Sequence, residues 1–212
     1  MTTDFLAAAR PHLDAIPPAE WGIAAAMILV PLILFVFLFR TFARFPARTF
    51  YPSVLWLLFS GAIHSAIELT FTLDRDGIIS KATDFYGAAD FRYGRPLDPG
   101  TAAMEYMTAI LVGPFCFLTA LAAVNGWRWR HPLQIVTCTS QLYGLVWFSL
   151  QPTFTGGLHS QASSDPFLFW FVFFGLNAPW GVFPTILLVQ SFYSITSSLP
   201  TESARIEKKK KR

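Results

Sequence analysis

Five stretches of the chain are long runs of apolar residues, and four of them are interrupted by polar side chains at helical spacing. The runs extend from Trp21 to Phe39, from about Ser53 to Leu73, from about Thr101 to Val124, from Leu133 to Leu150, and from Phe167 to Ser191. About 20 apolar residues in a helix cross ~30 Å of hydrocarbon, so each run reads as a transmembrane helix. Residues three or four apart share a helix face. On that basis Ser60, His64 and Glu68 form one line on the second span, and Glu105 and Thr108 begin another on the third. Gln134, Thr137, Gln141 and Gly144 follow on the fourth, and Phe173, Asn177, Trp180 and Pro184 on the fifth. Each of these helices thus has one polar or aromatic stripe on a greasy surface, the pattern expected of stripes that converge on a cavity.

Depth is consistent with convergence. With ~1.5 Å of rise per residue, His64 and Asn177 fall ~14–15 Å below the same end of their helices. Glu68 and Glu105 fall about 5–8 Å below that end. An ionisable group at membrane depth costs roughly 2.5–3.5 kcal/mol on insertion scales, so it signals a function unless it is paired for structure alone. A lone Gln or His in such a bundle is most simply an interhelical hydrogen bond. Two carboxyls and an imidazole together are harder to dismiss as glue.

Composition agrees with a membrane bundle. Of 212 residues, 53% are hydrophobic and only 14% charged, against about 25% in soluble domains, and mean hydropathy is +0.45. The fold expected is all-α: a polytopic five-helix transmembrane bundle with an intramembrane pocket. Residues 1–20 form an N-terminal segment, 21–195 the bundle and 196–212 a basic tail. Arg40, Arg44 and Arg48 follow the first span, Arg128 and Arg130 the third, and Arg205 and Lys208 to Arg212 the fifth. The positive-inside rule then places the N-terminus in the lumen and the C-terminus in the cytosol. Lys209 and Lys210 stand fourth and third from the end, as in an ER-retrieval signal, although a solvated cytosolic tail explains the same residues. The long polar stretch after the second span carries Asp74, Asp76, Asp84, Asp90 and Asp98. Cys116 and Cys138 both lie in apolar runs, so no disulfide framework is indicated. No nucleotide, metal or nucleophile motif is present, and no nucleic-acid partner is expected. What the polar set can do is move protons on a lipophilic substrate without a cofactor: one carboxyl donates, a neighbouring carboxylate or imidazole accepts, and an indole face steadies a cation between the two steps.

The chain resembles the emopamil-binding protein family, the sterol Δ8–Δ7 isomerases of the EXPERA superfamily. The likeness is carried in order by His64-Ser65-Ala66-Ile67-Glu68; Tyr86 with Asp90-Phe91-Arg92-Tyr93; Met104-Glu105-Tyr106-Met107-Thr108-Ala109 with Gly113-Pro114; His131-Pro132-Leu133; Gln134 with Gln141-Leu142-Tyr143-Gly144; and Phe169-Trp170-Phe171 with Asn177-Ala178-Pro179-Trp180 and Pro184. The resemblance implies a multi-pass ER enzyme that moves a sterol double bond from C8–C9 to C7–C8. It implies catalytic roles for His64, Glu68 and Glu105, and substrate contacts by Thr108, Gln141, Tyr143, Asn177, Trp180 and Tyr93. The partners expected are a sterol or other isoprenoid substrate, the lipid bilayer and, as such bundles often dimerise, a second copy. Between His131-Pro132-Leu133 and Gln134 the chain is shorter than the family pattern, and Gln151 to Asp165, with Gly156-Gly157, departs from it. These departures leave open an isomerase or cyclase of another terpenoid, or a sterol-binding protein without turnover. A proton-coupled transporter is disfavoured by the absence of an internal repeat.

Overall fold

A computed structural model describes residues 2–23, 52–74 and 82–200, with a few isolated positions between 25 and 37. Among the described residues the structure is helical, and the one β feature is a single bridge between Asp90 and Ala162. Among the described residues the helices that build and flank the site are α1 (Thr2–Asp14), α2 (Pro52–Leu73), α3 (Ala82–Ala89), α4 (Pro99–Asn125), α5 (Arg130–Phe154) and α6 (Leu168–Ser198). Helices α2, α4 and α6 are long and apolar enough to cross a membrane. Helix α5 has 25 residues, a length of ~37 Å. Its hydropathy is lower because Arg130, His131, Gln134, Gln141 and Gln151 lie along it. The predicted first span begins at Trp21, and most of it, like Arg40, Arg44, Arg48, Asp76 and the basic tail, lies outside the described residues.

The helix ends follow from local chemistry. Asp98 precedes α4, with Pro99 at its first position, and accepts from the Thr101 N–H at 2.8 Å and the Thr101 hydroxyl at 2.9 Å. The same helix ends at Gly126, which takes φ 64° and lets Trp127 N–H reach back to the Ala122 carbonyl at 3.0 Å. Asp165 caps α6 by accepting from the N–H groups of Phe167 and Leu168.

Two apolar clusters hold the helices. One joins Val54, Trp56, Leu57 and Leu58 of α2 with Val112, Cys116, Ala120 and Val124 of α4, Cys138 of α5 and Leu187 of α6. The other, at the opposite ends, joins Ala9 of α1, Ala89 of α3 and Ala162 with Phe167, Leu168, Val172 and Phe173 of α6. Hydrogen bonds add to the first cluster. Thr119 and Thr137 meet at 2.9 Å, and Gln134 donates to the Leu187 carbonyl at 2.9 Å. Gln134 is therefore interhelical glue of the ordinary kind, with each such bond contributing ~1 kcal/mol.

The described part of the polar stretch before α4, residues 82–98, is pinned by buried polar contacts. Arg92 is buried, grips Asp90 through Nε (2.9 Å) and Nη2 (2.7 Å), and donates through Nη1 to the Phe148 carbonyl and to Gln151. Its guanidinium lies 3.9 Å from the Phe148 ring centroid. Gln151 in turn donates to Asp98 at 3.0 Å, so one amide ties the loop to both α4 and α5.

The cap at Asp98 yields a stability prediction. Burial alone would raise this carboxyl, but the Thr101 N–H, the Gln151 amide and the Thr101 hydroxyl hold it below its usual range. A depressed folded-state value means stabilisation that is full above the unfolded value (about 4) and lost as pH falls through the folded one. Asp98→Ala should cost about 1–2 kcal/mol and lower the melting temperature in detergent at neutral pH. The gap from the unmutated protein should narrow in acid, and a gap that is absent at pH 7 or grows in acid contradicts the assignment.

Candidate active site

Between the two apolar clusters lies a cavity of about 520 Å³. On α6, Asn177 and Trp180 fall between Leu168–Phe173, which feed one cluster, and Leu187, which feeds the other, while on α2 and α4 the polar residues lie just beyond the stretches that feed the first cluster. All three helices leave α geometry nearby. Ile63–Glu68 of α2, Thr108–Val112 of α4 and Leu168–Gly175 of α6 are π-helical, a widening of the turn that recurs at functional sites. Helices α2 and α4 also approach closely: a Cβ on Gly113 would collide with Ser65 Oγ and lie 3.3 Å from the His64 Cβ.

His64 is the hub. It is 4% exposed, and its Nδ1 lies 2.6 Å from Glu68 Oε1. The Trp180 indole N–H points at His64 Nε2 at 3.2 Å. An indole nitrogen only donates, so Nε2 is the acceptor and a neutral ring carries its proton on Nδ1, toward Glu68. Gln141 Nε2 sits 3.2 Å from the same His64 nitrogen and donates to Ser60 Oγ at 2.5 Å. The four stripes therefore do converge, with one ring touching groups from α2, α5 and α6.

Glu68 connects this hub to α4. Thr108 Oγ1 lies 2.5 Å from Glu68 Oε2 and 2.8 Å from the Glu105 carbonyl oxygen. A hydroxyl has one hydrogen. When it serves the carbonyl, the contact to Glu68 needs a proton on the carboxyl, so Thr108 accommodates Glu68 in either protonation state. The Glu105 carboxyl interacts electrostatically with that of Glu68 and accepts through Oε1 from the Tyr93 hydroxyl. Among the described residues its other oxygen, Oε2, is buried and accepts from no N–H or hydroxyl donor.

Of the residues singled out in the sequence, His64, Glu68, Glu105, Gln141, Asn177, Trp180 and Tyr93 line the cavity, and Thr108 bridges two of them from behind. Tyr143 does not join them. It is 67% exposed and lines a separate groove on the outer face of α5 with Val146, Leu150 and Phe154. Two residues past Gln141 turn the helix by ~200°, which carries Tyr143 to the far side. Tyr86, by contrast, does line the cavity and accepts from Asn177 Nδ2 at 2.7 Å. Its helix α3 has only eight residues, too few for periodicity to expose a face. The remaining wall is apolar and aromatic, including Phe59, Ile63, Phe71, Met104, Leu145 and Phe148.

Comparison with known proteins agrees with this geometry. Residues 78–191 match the family model EBP, described as EXPERA, the expanded EBP superfamily. The chain is 31% identical to a probable 3-beta-hydroxysteroid-Delta(8),Delta(7)-isomerase of Oryza sativa subsp. japonica, over 94% of this chain and 95% of the rice protein. It is 30% identical to the mouse 3-beta-hydroxysteroid-Delta(8),Delta(7)-isomerase, over 74% of this chain and 70% of the mouse protein. It is 25% identical to an isomeliandiol synthase of Ailanthus altissima, over 63% of this chain and 65% of that protein. The chain belongs to the emopamil-binding protein family of the EXPERA superfamily.

Proposed function

We propose that this protein is a sterol Δ8–Δ7 isomerase. The observation that carries the reading is a linked pair of carboxyls, Glu68 and Glu105, on the wall of an apolar cavity beside His64 and Trp180. Glu68 receives the His64 Nδ1–H and faces the Thr108 hydroxyl, a setting that suits an anion. Glu105, engaged by Tyr93 through one oxygen and set against the Glu68 carboxyl, also lines the cavity, a setting that suits a carboxylic acid beside an anion. In the reaction the Glu105 proton goes to C9, the C8–C9 π electrons form the new C–H bond, and a cation is left at C8. Loss of the C7 proton to Glu68 places the double bond at C7–C8. The contact between the Glu68 and Glu105 carboxyls offers a route for the proton back to Glu105, so each turnover leaves the site unchanged. The Trp180 indole lies against His64 at the same wall, where its π face steadies the C8 cation.

The same reading makes residues 21–195 a five-span bundle, with α5 as its fourth span and residues 1–20 and 196–212 as flanking segments. Arg128 and Arg130, beside Trp127 and Trp129, mark the cytosolic face, and Asp84, Asp90, Asp98 and Asp165 the lumenal one, in an ER membrane. A second reading keeps the proton chemistry and exchanges the sterol for another isoprenoid. It is favoured by the likeness to an isomeliandiol synthase.

Turnover of a Δ8-sterol such as zymosterol by purified protein tests the assignment. Glu68→Gln and Glu105→Gln should each lower the rate at least ~100-fold with the protein still inserted and folded, and near-normal rates in both variants would sink the roles given to them. Trp180→Ala should weaken a lipophilic amine that mimics the cation about 5–30-fold, from ~1–2 kcal/mol of cation–π attraction. Trp180→Phe should restore most of that affinity, whereas an amine that binds Trp180→Ala as tightly as the unmutated protein contradicts the cation–π role.

A further inference from the structure

The cavity has a second polar spot, separate from the carboxyl pair. Asn177 of α6 and Tyr86 of α3 both face it. The Asn177 side-chain nitrogen lies 2.6 Å from the Phe173 carbonyl oxygen. A carbonyl only accepts, so the amide can have only one orientation, with Nδ2 at Phe173. The second Nδ2 hydrogen goes to Tyr86 Oη at 2.7 Å. Tyr86 is thus the acceptor in that bond, and its own hydrogen is directed elsewhere. Among the described residues that hydrogen has no acceptor, and Asn177 Oδ1 has no donor. Burial pushes the Tyr86 phenol above its usual range, so it stays protonated and able to donate.

An unused O–H donor beside an unused carbonyl acceptor, with Phe71 against Tyr86 in a cavity also lined by Phe85 and Phe148, is the complement of a single alcohol. Water could satisfy the same pair, but the apolar wall around it favours an alcohol carried on a large hydrocarbon. The spot is also fixed relative to the proton chemistry. Tyr86 stands edge-on to Tyr93 at 4.8 Å, and the Tyr93 hydroxyl donates to Glu105. Asn177 precedes Trp180 by three residues, ~4.5 Å of helix rise. In a 3-hydroxysteroid the alcohol is on ring A and the migrating double bond in ring B, so sites one turn apart can hold both.

We propose that Tyr86 and Asn177 form the recognition site for the 3β-hydroxyl of the substrate. Tyr86 O–H donates to the alcohol oxygen, and the alcohol O–H donates to Asn177 Oδ1. The inference rests on the sterol isomerase reading and adds to it the residues that set the substrate's orientation.

Trp21, Trp147 and Trp180 line the cavity, so intrinsic fluorescence reports its occupancy. Full-length protein would be titrated with a 3β-hydroxy-Δ8-sterol and with its 3-deoxy counterpart. The unmutated protein should prefer the alcohol at least tenfold, because the deoxy compound leaves a buried donor and acceptor unpaired. Tyr86→Phe should reduce the preference to threefold or less, and so should Asn177→Ala, with thermal melting showing that each is folded. If only one of the two variants folds, that variant decides. Equal affinity for the two sterols in the unmutated protein, or a tenfold preference that persists in a folded variant, overturns the subsite. Binding of neither sterol by the unmutated protein contradicts the isomerase reading, and the subsite with it.

Discussion

The structure depends on one contact, the 2.6 Å hydrogen bond between His64 and Glu68 in a space almost closed to water. A buried carboxyl or imidazole is tolerated only when its polar atoms are met, and here the requirement is fulfilled by side chains from three other elements. The Trp180 N–H fixes which ring nitrogen of His64 carries the proton, Gln141 backs the same nitrogen and Thr108 meets the far oxygen of Glu68. Helices α4, α5 and α6 are therefore set in depth and rotation by the chemistry they surround. Among the described residues Glu105 Oε2, Gln141 Oε1 and Ser65 Oγ are buried outside this pairing.

Rigidity is provided on both sides of the cavity. The cluster around Leu57, Cys116 and Cys138 locks α2, α4 and α5 on one side. On the other, Arg92 ties the loop to Asp90, Phe148 and Gln151 and so fixes the neighbouring Tyr93, whose hydroxyl reaches Glu105. In the proposed reaction a lipophilic substrate would meet a preformed wall, with little reorganisation left for the moment of proton transfer.

Much of this was legible in the sequence because polar residues three and four apart on greasy helices leave few choices of face. His64 with Glu68, and Asn177 with Trp180, were found that way, and the arithmetic that put Glu68 and Glu105 at one depth agrees with their electrostatic contact. The π-helical turns were not legible, since a widened turn leaves no mark in a pattern sampled at 3.6 residues. Tyr143 belongs to the family motif, but its position two residues past Gln141 puts it on the outer face of α5. Tyr86 was undervalued, being on a helix too short to show a pattern. The apolar run of α5 reads as a span in the sequence, but the glutamines and threonines that tie it to its neighbours keep its hydropathy below that of α2, α4 and α6. The docking of α1 through Ala9 against Phe167 and Val172 depends on shape, which composition does not encode.

The central claim is that a carboxyl in this cavity protonates carbon. Membranes containing the protein, incubated with zymosterol in deuterated water and analysed by mass spectrometry and NMR, test it most directly. The account predicts a Δ7-sterol carrying deuterium at C9 in the first turnovers, once the acidic protons of the site have exchanged with solvent. Conversion to the Δ7-sterol with a protium-only C9 after such pre-exchange would contradict protonation by an exchangeable acid, and no conversion at all would contradict the sterol reading.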